Sequence, residues 1–182
     1  MNTPNKLTVI RMILVPIFMA FALIPGKGFL IAALAVFALA SITDWLDGKI
    51  ARATGQVTTF GKFMDPLADK MLTTAAFLVF MDMGLISPWV IIIVLFREFA
   101  ISGIRLVAAG TGDIIAASIW GKLKTVSQML AIIVTFILLI VPVFSESVNL
   151  IIINVFVWIS TVLTLTSGAD YIYKSKHLLV MK

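Results

Sequence analysis

The sequence contains no cysteine and a single histidine, His177, among 182 residues. Disulfides and thiolate metal sites are thereby excluded, as is a zinc centre built from several histidines. Charge is scarce as well. Asp, Glu, Lys and Arg make up 13% of the chain, about half the ~25% of an ordinary soluble domain. No segment has low complexity, and no internal repeat shows at the periods of ~20–50 residues that mark solenoids.

What is present is mostly oil. Hydrophobic residues make up 61% of the sequence, and the mean hydropathy is +1.12. Apolar runs of about 18 residues or more read as membrane spans, and several occur. The pattern predicts an all-α integral membrane bundle of six transmembrane helices, forming one domain over residues 1–182. The expected spans are Leu7–Ile24, Phe29–Arg52, Gly61–Met81, Trp89–Ala109, a fifth following Lys122-Leu-Lys124 and reaching Val141, and Leu150–Thr166. Pro25-Gly-Lys-Gly28, Gly84–Pro88 and Pro142–Asn149 read as outer turns, and Ala53–Phe60 as an inner loop. The first apolar run lacks a small-residue cleavage site and reads as a span. Pro66 conflicts locally with the third span: either the helix kinks there, or its regular part begins with Asp65 as N-cap and Pro66 at N1.

The formal net charge is +5, but its distribution points away from nucleic acid. With a cytoplasmic N-terminus and six spans, Lys27 is the only basic residue near an outer loop. The other Lys and Arg fall on or towards the inner side, which is the positive-inside pattern. A multi-pass protein of the plasma membrane with both termini cytoplasmic is expected.

Against this background, one stretch stands out. Asp44, Asp47, Asp65 and Asp69 are four of the nine acidic residues, set within apolar surroundings. On a helix, Asp44 and Asp47 share a face, as do Asp65 and Asp69. Two neighbouring helices can therefore aim four carboxylates at one place. Near a membrane helix centre each isolated charge costs about 2.5–3.5 kcal/mol, so a neutralising partner is called for. Hard divalent cations bound by oxygen are the natural candidates, and Mg²⁺ typically combines one or two carboxylates with substrate phosphates. Two such ions balance the four aspartates and leave a diphosphate free to bridge them. Gly48 and Ala51 leave room for a substrate against the backbone, and the planar fork of Arg52 can contact a phosphate or a base. The bland alternative is a set of helix-end charges snorkelling to the interface; it accounts for one aspartate better than for two helix-spaced pairs. A cation transporter with intramembrane carboxylates is a further alternative, although it has no need of the Gly48-x2-Ala51-Arg52 segment.

Written as spacing, the motif is D-x2-D-G-x2-A-R-x8-G-x3-D-x3-D, running from Asp44 to Asp69. It resembles the signature of the CDP-alcohol phosphotransferase family at every fixed position. A membrane prenyltransferase also holds a diphosphate on aspartate-bound Mg²⁺, but with different aspartate spacings. The resemblance implies a metal-dependent enzyme that displaces CMP from a CDP-linked lipid or alcohol. It implies that Asp44, Asp47, Asp65 and Asp69 bind two ions, Mg²⁺ or Mn²⁺. Gly48, Ala51, Arg52 and Gly61 would hold the CDP moiety, and Asp69 would be the general base. Thr58, Asn5 and Thr8 lie where family members also touch the nucleotide or diphosphate. A homodimer is implied as well.

Three further segments resemble the branch of the family that uses glycerol 3-phosphate: Pro4-Asn-Lys-Leu-Thr8, Arg97-Glu-Phe-Ala-Ile-Ser-Gly-Ile-Arg105 and Gly121-Lys-Leu-Lys-Thr125. They imply CDP-diacylglycerol as donor and sn-glycerol 3-phosphate as acceptor, with phosphatidylglycerol phosphate and CMP as products. Serine, inositol phosphate or phosphatidylglycerol would be the acceptor in other branches. The residues themselves agree with an anionic acceptor, because Arg97, Arg105, Lys122 and Lys124 concentrate positive charge on the fourth and fifth spans. Glu98 and Arg105 are almost two full turns apart and share a stripe. Arg97 lies about 80° from that stripe, so it is expected to find an anionic ligand or a carboxylate on another span.

Overall fold

A computed structural model of the chain describes residues 3–54, 59–111, 118–141 and 143–176, with side chains described for these except at 3–4, 45, 47–54, 59–63, 65–66, 69 and 109–111. The described residues form six α-helices and no strand: α1 (Thr3–Leu23), α2 (Lys27–Thr54), α3 (Thr59–Asp82), α4 (Pro88–Thr111), α5 (Ile119–Ile140) and α6 (Glu146–Lys174). Each expected span lies on one of these helices. Two differences matter for function. Helix α5 starts at Ile119, so Lys122 and Lys124 belong to the helix itself instead of preceding it. Helix α3 begins at Thr59 and continues through Pro66, so its regular part does not start at Asp65.

Among the described residues, four helices are long and apolar enough to cross a membrane, within Asn5–Leu23, Lys27–Asp44, Ile119–Ile140 and Glu146–Lys174. The 24 residues each of α3 and α4 rise about 36 Å at 1.5 Å per residue, more than the ~30 Å of a hydrocarbon core. Helix α4 is set apart from the four by its charges. Helix α3 carries Lys62, Asp65, Asp69 and Lys70, and α4 carries Arg97, Glu98 and Arg105. Both helices bear candidate site residues. Large apolar side chains also cover the outside, among them Phe96, Phe99, Trp89 and Ile151. So much exposed apolar surface suits contact with lipid and would be a liability in water.

The helices pack as two compact units. One comprises α1, α2 and α3 with Thr135–Val143. Its core is aromatic: Phe18 meets Phe37 and Phe136 at ring-centroid distances of 5.8 Å, and Phe80 meets Phe136 at 5.2 Å. Several buried positions of this unit are small, with Ala22, Ala33, Ala40, Ala68 and Ala76 almost fully excluded from solvent. Small residues let helix backbones approach closely where no hydrophobic force operates between helices in lipid.

The other unit comprises α4, the first part of α5 up to Val134, and α6. The turn before α4 uses Gly84 at φ 73°, a left-handed conformation that glycine adopts without a Cβ clash. The interior of this unit is polar to an unusual degree for a membrane protein. Glu98, Lys124, Gln128, Ser160, Thr161, Thr164 and Ser167 are all buried. Three α6 hydroxyls donate to their own helix backbone, Ser160 and Thr161 to the Val157 carbonyl and Thr164 to that of Ser160. This local arrangement satisfies them without water. Gln128 Nε2 then donates to Thr164 Oγ1 at 3.3 Å, joining α5 to α6.

Candidate active site

Helix α2 carries Asp44, Asp47, Gly48, Ala51 and Arg52, and α3 carries Gly61, Asp65 and Asp69. The helical register required for the two carboxylate pairs is therefore met along both stretches. Asp44 is the member of the set whose side chain is described, at 44% exposure. The side chains of Asp47, Gly48, Ala51, Arg52, Gly61, Asp65 and Asp69 lie outside the described residues, as does Thr58 altogether. Among the described residues, no three carboxylate or imidazole groups come together.

Asp44 has a partner that the sequence did not announce. Arg11 of α1 is completely buried, and its Nη1 lies 2.6 Å from Asp44 Oδ1. A guanidinium removed from water needs a carboxylate with good geometry, and Asp44 supplies one while remaining half open to its surroundings. An ionised carboxylate offers about four lone-pair sites, so pairing with Arg11 does not exhaust it as a ligand. The donor set suits a hard divalent cation: it is oxygen throughout, with no thiolate in the chain. Thr8, about one turn before Arg11 on α1, and Asn5, about one turn before Thr8, are buried and take part in interactions of their own.

The basic residues expected to serve the acceptor lie on α4 and α5. Arg97 is not left to seek a distant carboxylate. Its Nη1 lies 3.0 Å from Oε1 of Glu98, its immediate neighbour, and its Nη2 donates to Ser167 Oγ of α6 at 2.6 Å. The expectation that no partner lay on the same helix is thus corrected. Backbone spacing of one residue separates the Cβ directions, but a long guanidinium closes the gap. Glu98 also accepts from Lys124 of α5, so one buried carboxylate holds two cations. Arg105, despite sharing a stripe with Glu98, turns instead to α6, where its Nε donates to Tyr171 Oη at 3.1 Å. Lys122 is exposed. Towards the chain's end, Lys174 pairs with Asp170 one turn earlier.

The shared carboxylate carries a stability prediction. Removing one member of a buried ion pair costs about 3–5 kcal/mol, because a charge is stranded. Glu98→Ala should therefore lower thermal stability strongly in detergent, whereas Glu98→Met combined with Lys124→Met should recover much of the loss. A Glu98→Ala protein that unfolds at the wild-type temperature would show that the bridge contributes nothing.

Sequence reasoning missed the roles of Arg11, Ser167 and Tyr171. The available signal was physical: a lone charge inside an apolar helix requires a partner, and Arg11 is such a charge.

A model of the family described as CDP-alcohol phosphatidyltransferase matches residues 1–166. A Bacillus subtilis protein named CDP-diacylglycerol–glycerol-3-phosphate 3-phosphatidyltransferase is 40% identical over 96% of this chain and 95% of its own length. A Haemophilus influenzae protein of the same name is 39% identical over 72% of this chain and 73% of its own. A Mycobacterium tuberculosis protein named probable phosphatidylglycerophosphate synthase is 36% identical over 96% of this chain and 81% of its own.

Proposed function

The chain belongs to the CDP-alcohol phosphatidyltransferase family, and from that premise we propose that it transfers the phosphatidyl group of CDP-diacylglycerol to sn-glycerol 3-phosphate. The products are phosphatidylglycerol phosphate and CMP. The observation that carries this reading is the similarity to a glycerol-3-phosphate 3-phosphatidyltransferase over nearly the whole of both chains. The complete aspartate motif on α2 and α3 supports it.

In the proposed reaction a hydroxyl oxygen of glycerol 3-phosphate attacks the β-phosphorus of the donor in line. The new P–O bond forms as the bond to the CMP phosphate breaks, and the hydroxyl proton passes to Asp69. Asp44, Asp47, Asp65 and Asp69 hold the divalent ions, which supply charge neutralisation for the diphosphate and the departing CMP. Gly48, Ala51, Arg52 and Gly61 cradle the CDP moiety, with Asn5, Thr8 and Thr58 contributing nearby. Arg97, Arg105, Lys122 and Lys124 serve the acceptor's phosphate. Positioning and electrostatics, more than covalent chemistry, carry the rate.

Six spans with the aspartates near the cytoplasmic interface of the plasma membrane complete the reading, with the protein acting as a homodimer. Such a site keeps the acyl chains in the leaflet while the soluble acceptor and CMP exchange with the cytoplasm. The assay is CMP release from CDP-diacylglycerol across a panel of glycerol 3-phosphate, serine, inositol phosphate and phosphatidylglycerol. Release that requires both a divalent metal and glycerol 3-phosphate is expected; a preference for another panel member would reassign the acceptor.

Topology has its own test. Cysteine introduced by Lys27→Cys, Leu85→Cys or Glu146→Cys should react fully with an impermeant reagent on intact cells, and Gln56→Cys should not. Labelling of Gln56→Cys from outside would overturn the orientation drawn from the basic residues.

A further inference from the structure

We infer that one face of α6, formed by Ser167, Gly168 and Tyr171, positions the two arginines of α4 for the acceptor's phosphate. The inference rests on the reading that Arg97 and Arg105 serve that phosphate.

Ser167 and Tyr171 are four residues apart and occupy one side of the helix, with Gly168 beside them. All three are buried. Arg97 runs along this face. Its Nη2 donates to Ser167 Oγ at 2.6 Å, and a Cβ placed on Gly168 would stand only 3.0 Å from Arg97 Cγ. Glycine inside a helix is destabilising relative to alanine. Here its lack of a side chain gives the arginine stem its channel. With Nη1 on Glu98 and Nη2 on Ser167, the guanidinium plane is fixed by two different helices.

Arg105 is held in another way. Its Nε donates to Tyr171 Oη at 3.1 Å, and its Cζ lies 5.4 Å from the centre of the same ring. The Tyr171 ring is buried while Arg105 itself is exposed. Engagement through Nε leaves the two terminal nitrogens free of the tyrosine hydroxyl, and no hydrogen bond from them is described. That pair of nitrogens is the fork with which arginine binds phosphate bidentately. Arg97 has both terminal nitrogens engaged, whereas those of Arg105 make no such bond among the described residues. Here the guanidinium is clamped at its base with the phosphate-binding end open. The long side chain would otherwise lose rotamer freedom on binding. Tyr171 removes part of that cost in advance.

The experiment uses the full chain in detergent micelles, measuring CMP release with each substrate varied in turn, alongside thermal unfolding. Arg97→Ala and Arg105→Ala set the scale, and each should raise KM for glycerol 3-phosphate about ten- to hundredfold, the scale of a charge-assisted bond. Tyr171→Phe keeps the ring and loses only the hydroxyl. It should raise the acceptor KM about two- to tenfold, leave the KM for CDP-diacylglycerol and the unfolding temperature unchanged, and add nothing when Arg105→Ala is already present. Ser167→Ala and Gly168→Ala should raise the acceptor KM in the same selective way through Arg97. If both arginine variants leave acceptor KM unchanged, the acceptor reading fails and this inference with it. If the arginine variants raise it but Tyr171→Phe and Ser167→Ala do not, the α6 face is structural and only this inference falls. An equal effect of Tyr171→Phe in the presence and absence of Arg105 would overturn it as well.

Discussion

Replacing Asp69 by asparagine is expected to leave metal-dependent binding of CDP-diacylglycerol largely intact while turnover falls at least about a thousandfold. Asparagine keeps the size of aspartate and one carbonyl oxygen for a hard cation, but it cannot take a proton. A positioned general base contributes about 10²–10⁴ to rate, so its loss, with some weakening of metal ligation, accounts for the expected scale. Asp69 lies on α3 one turn beyond Asp65, within the helical register that places both on one face. Asp47→Asn should behave differently, weakening metal-dependent donor binding and rate together. Calorimetric titration of the donor with and without Mg²⁺, run alongside CMP release, separates the two patterns. Measurable turnover in Asp69→Asn with an unaltered pH profile would remove Asp69 from the role of base. The two-metal reading would survive that result.

Much of this was legible in the sequence because the relevant signals are local. Each helix is marked by an apolar run bounded by Pro, Gly or charge, and the aspartate motif falls on α2 and α3 with short, fixed spacings. What escaped were contacts between residues far apart in the chain. Lys122 and Lys124 read as charges preceding a span, since the apolar run begins after them. Lys124 is instead buried in α5, because Glu98 from α4 meets it there. On the helix wheel Arg97 lies about 80° from the stripe holding Glu98 and Arg105. Side chains are not short spokes, however, and the guanidinium reaches round the helix to the adjacent carboxylate. The partners on α6, Ser167 and Tyr171, carry no charge, and hydroxyls in an apolar helix give no signal of which arginine they will face. The polar interior of the α4–α6 unit is a product of these distant pairings.

Asp44→Asn should do more damage than Asp47→Asn, because Asp44 carries two duties. Like the other aspartates, it is proposed to hold a divalent cation, so its loss should reduce metal-dependent donor binding and lower turnover at least about a hundredfold. It also faces Arg11, whose side chain is wholly buried and lies 2.6 Å from the carboxylate. An asparagine there leaves the guanidinium facing a neutral amide. Breaking a fully buried pair costs about 3–5 kcal/mol; with Asp44 at 44% exposure, water moderates this to roughly 1–3 kcal/mol. Asp44→Asn is therefore expected to lower the unfolding temperature, while Asp47→Asn leaves it near the wild-type value. The pairing supplies its own control. Arg11→Met removes the buried charge, so Arg11→Met combined with Asp44→Asn should restore most of the lost stability without restoring turnover. Arg11→Met alone keeps the carboxylate but frees its orientation, and outer partners of metal ligands typically govern affinity by about 10–100-fold. Calorimetric Mg²⁺ titration and thermal unfolding of the four proteins, wild type included, decide the matter. A double variant as unstable as Asp44→Asn alone would show that the Arg11–Asp44 pair does not set the stability, and unchanged metal affinity in Arg11→Met would show that it does not orient the ligand.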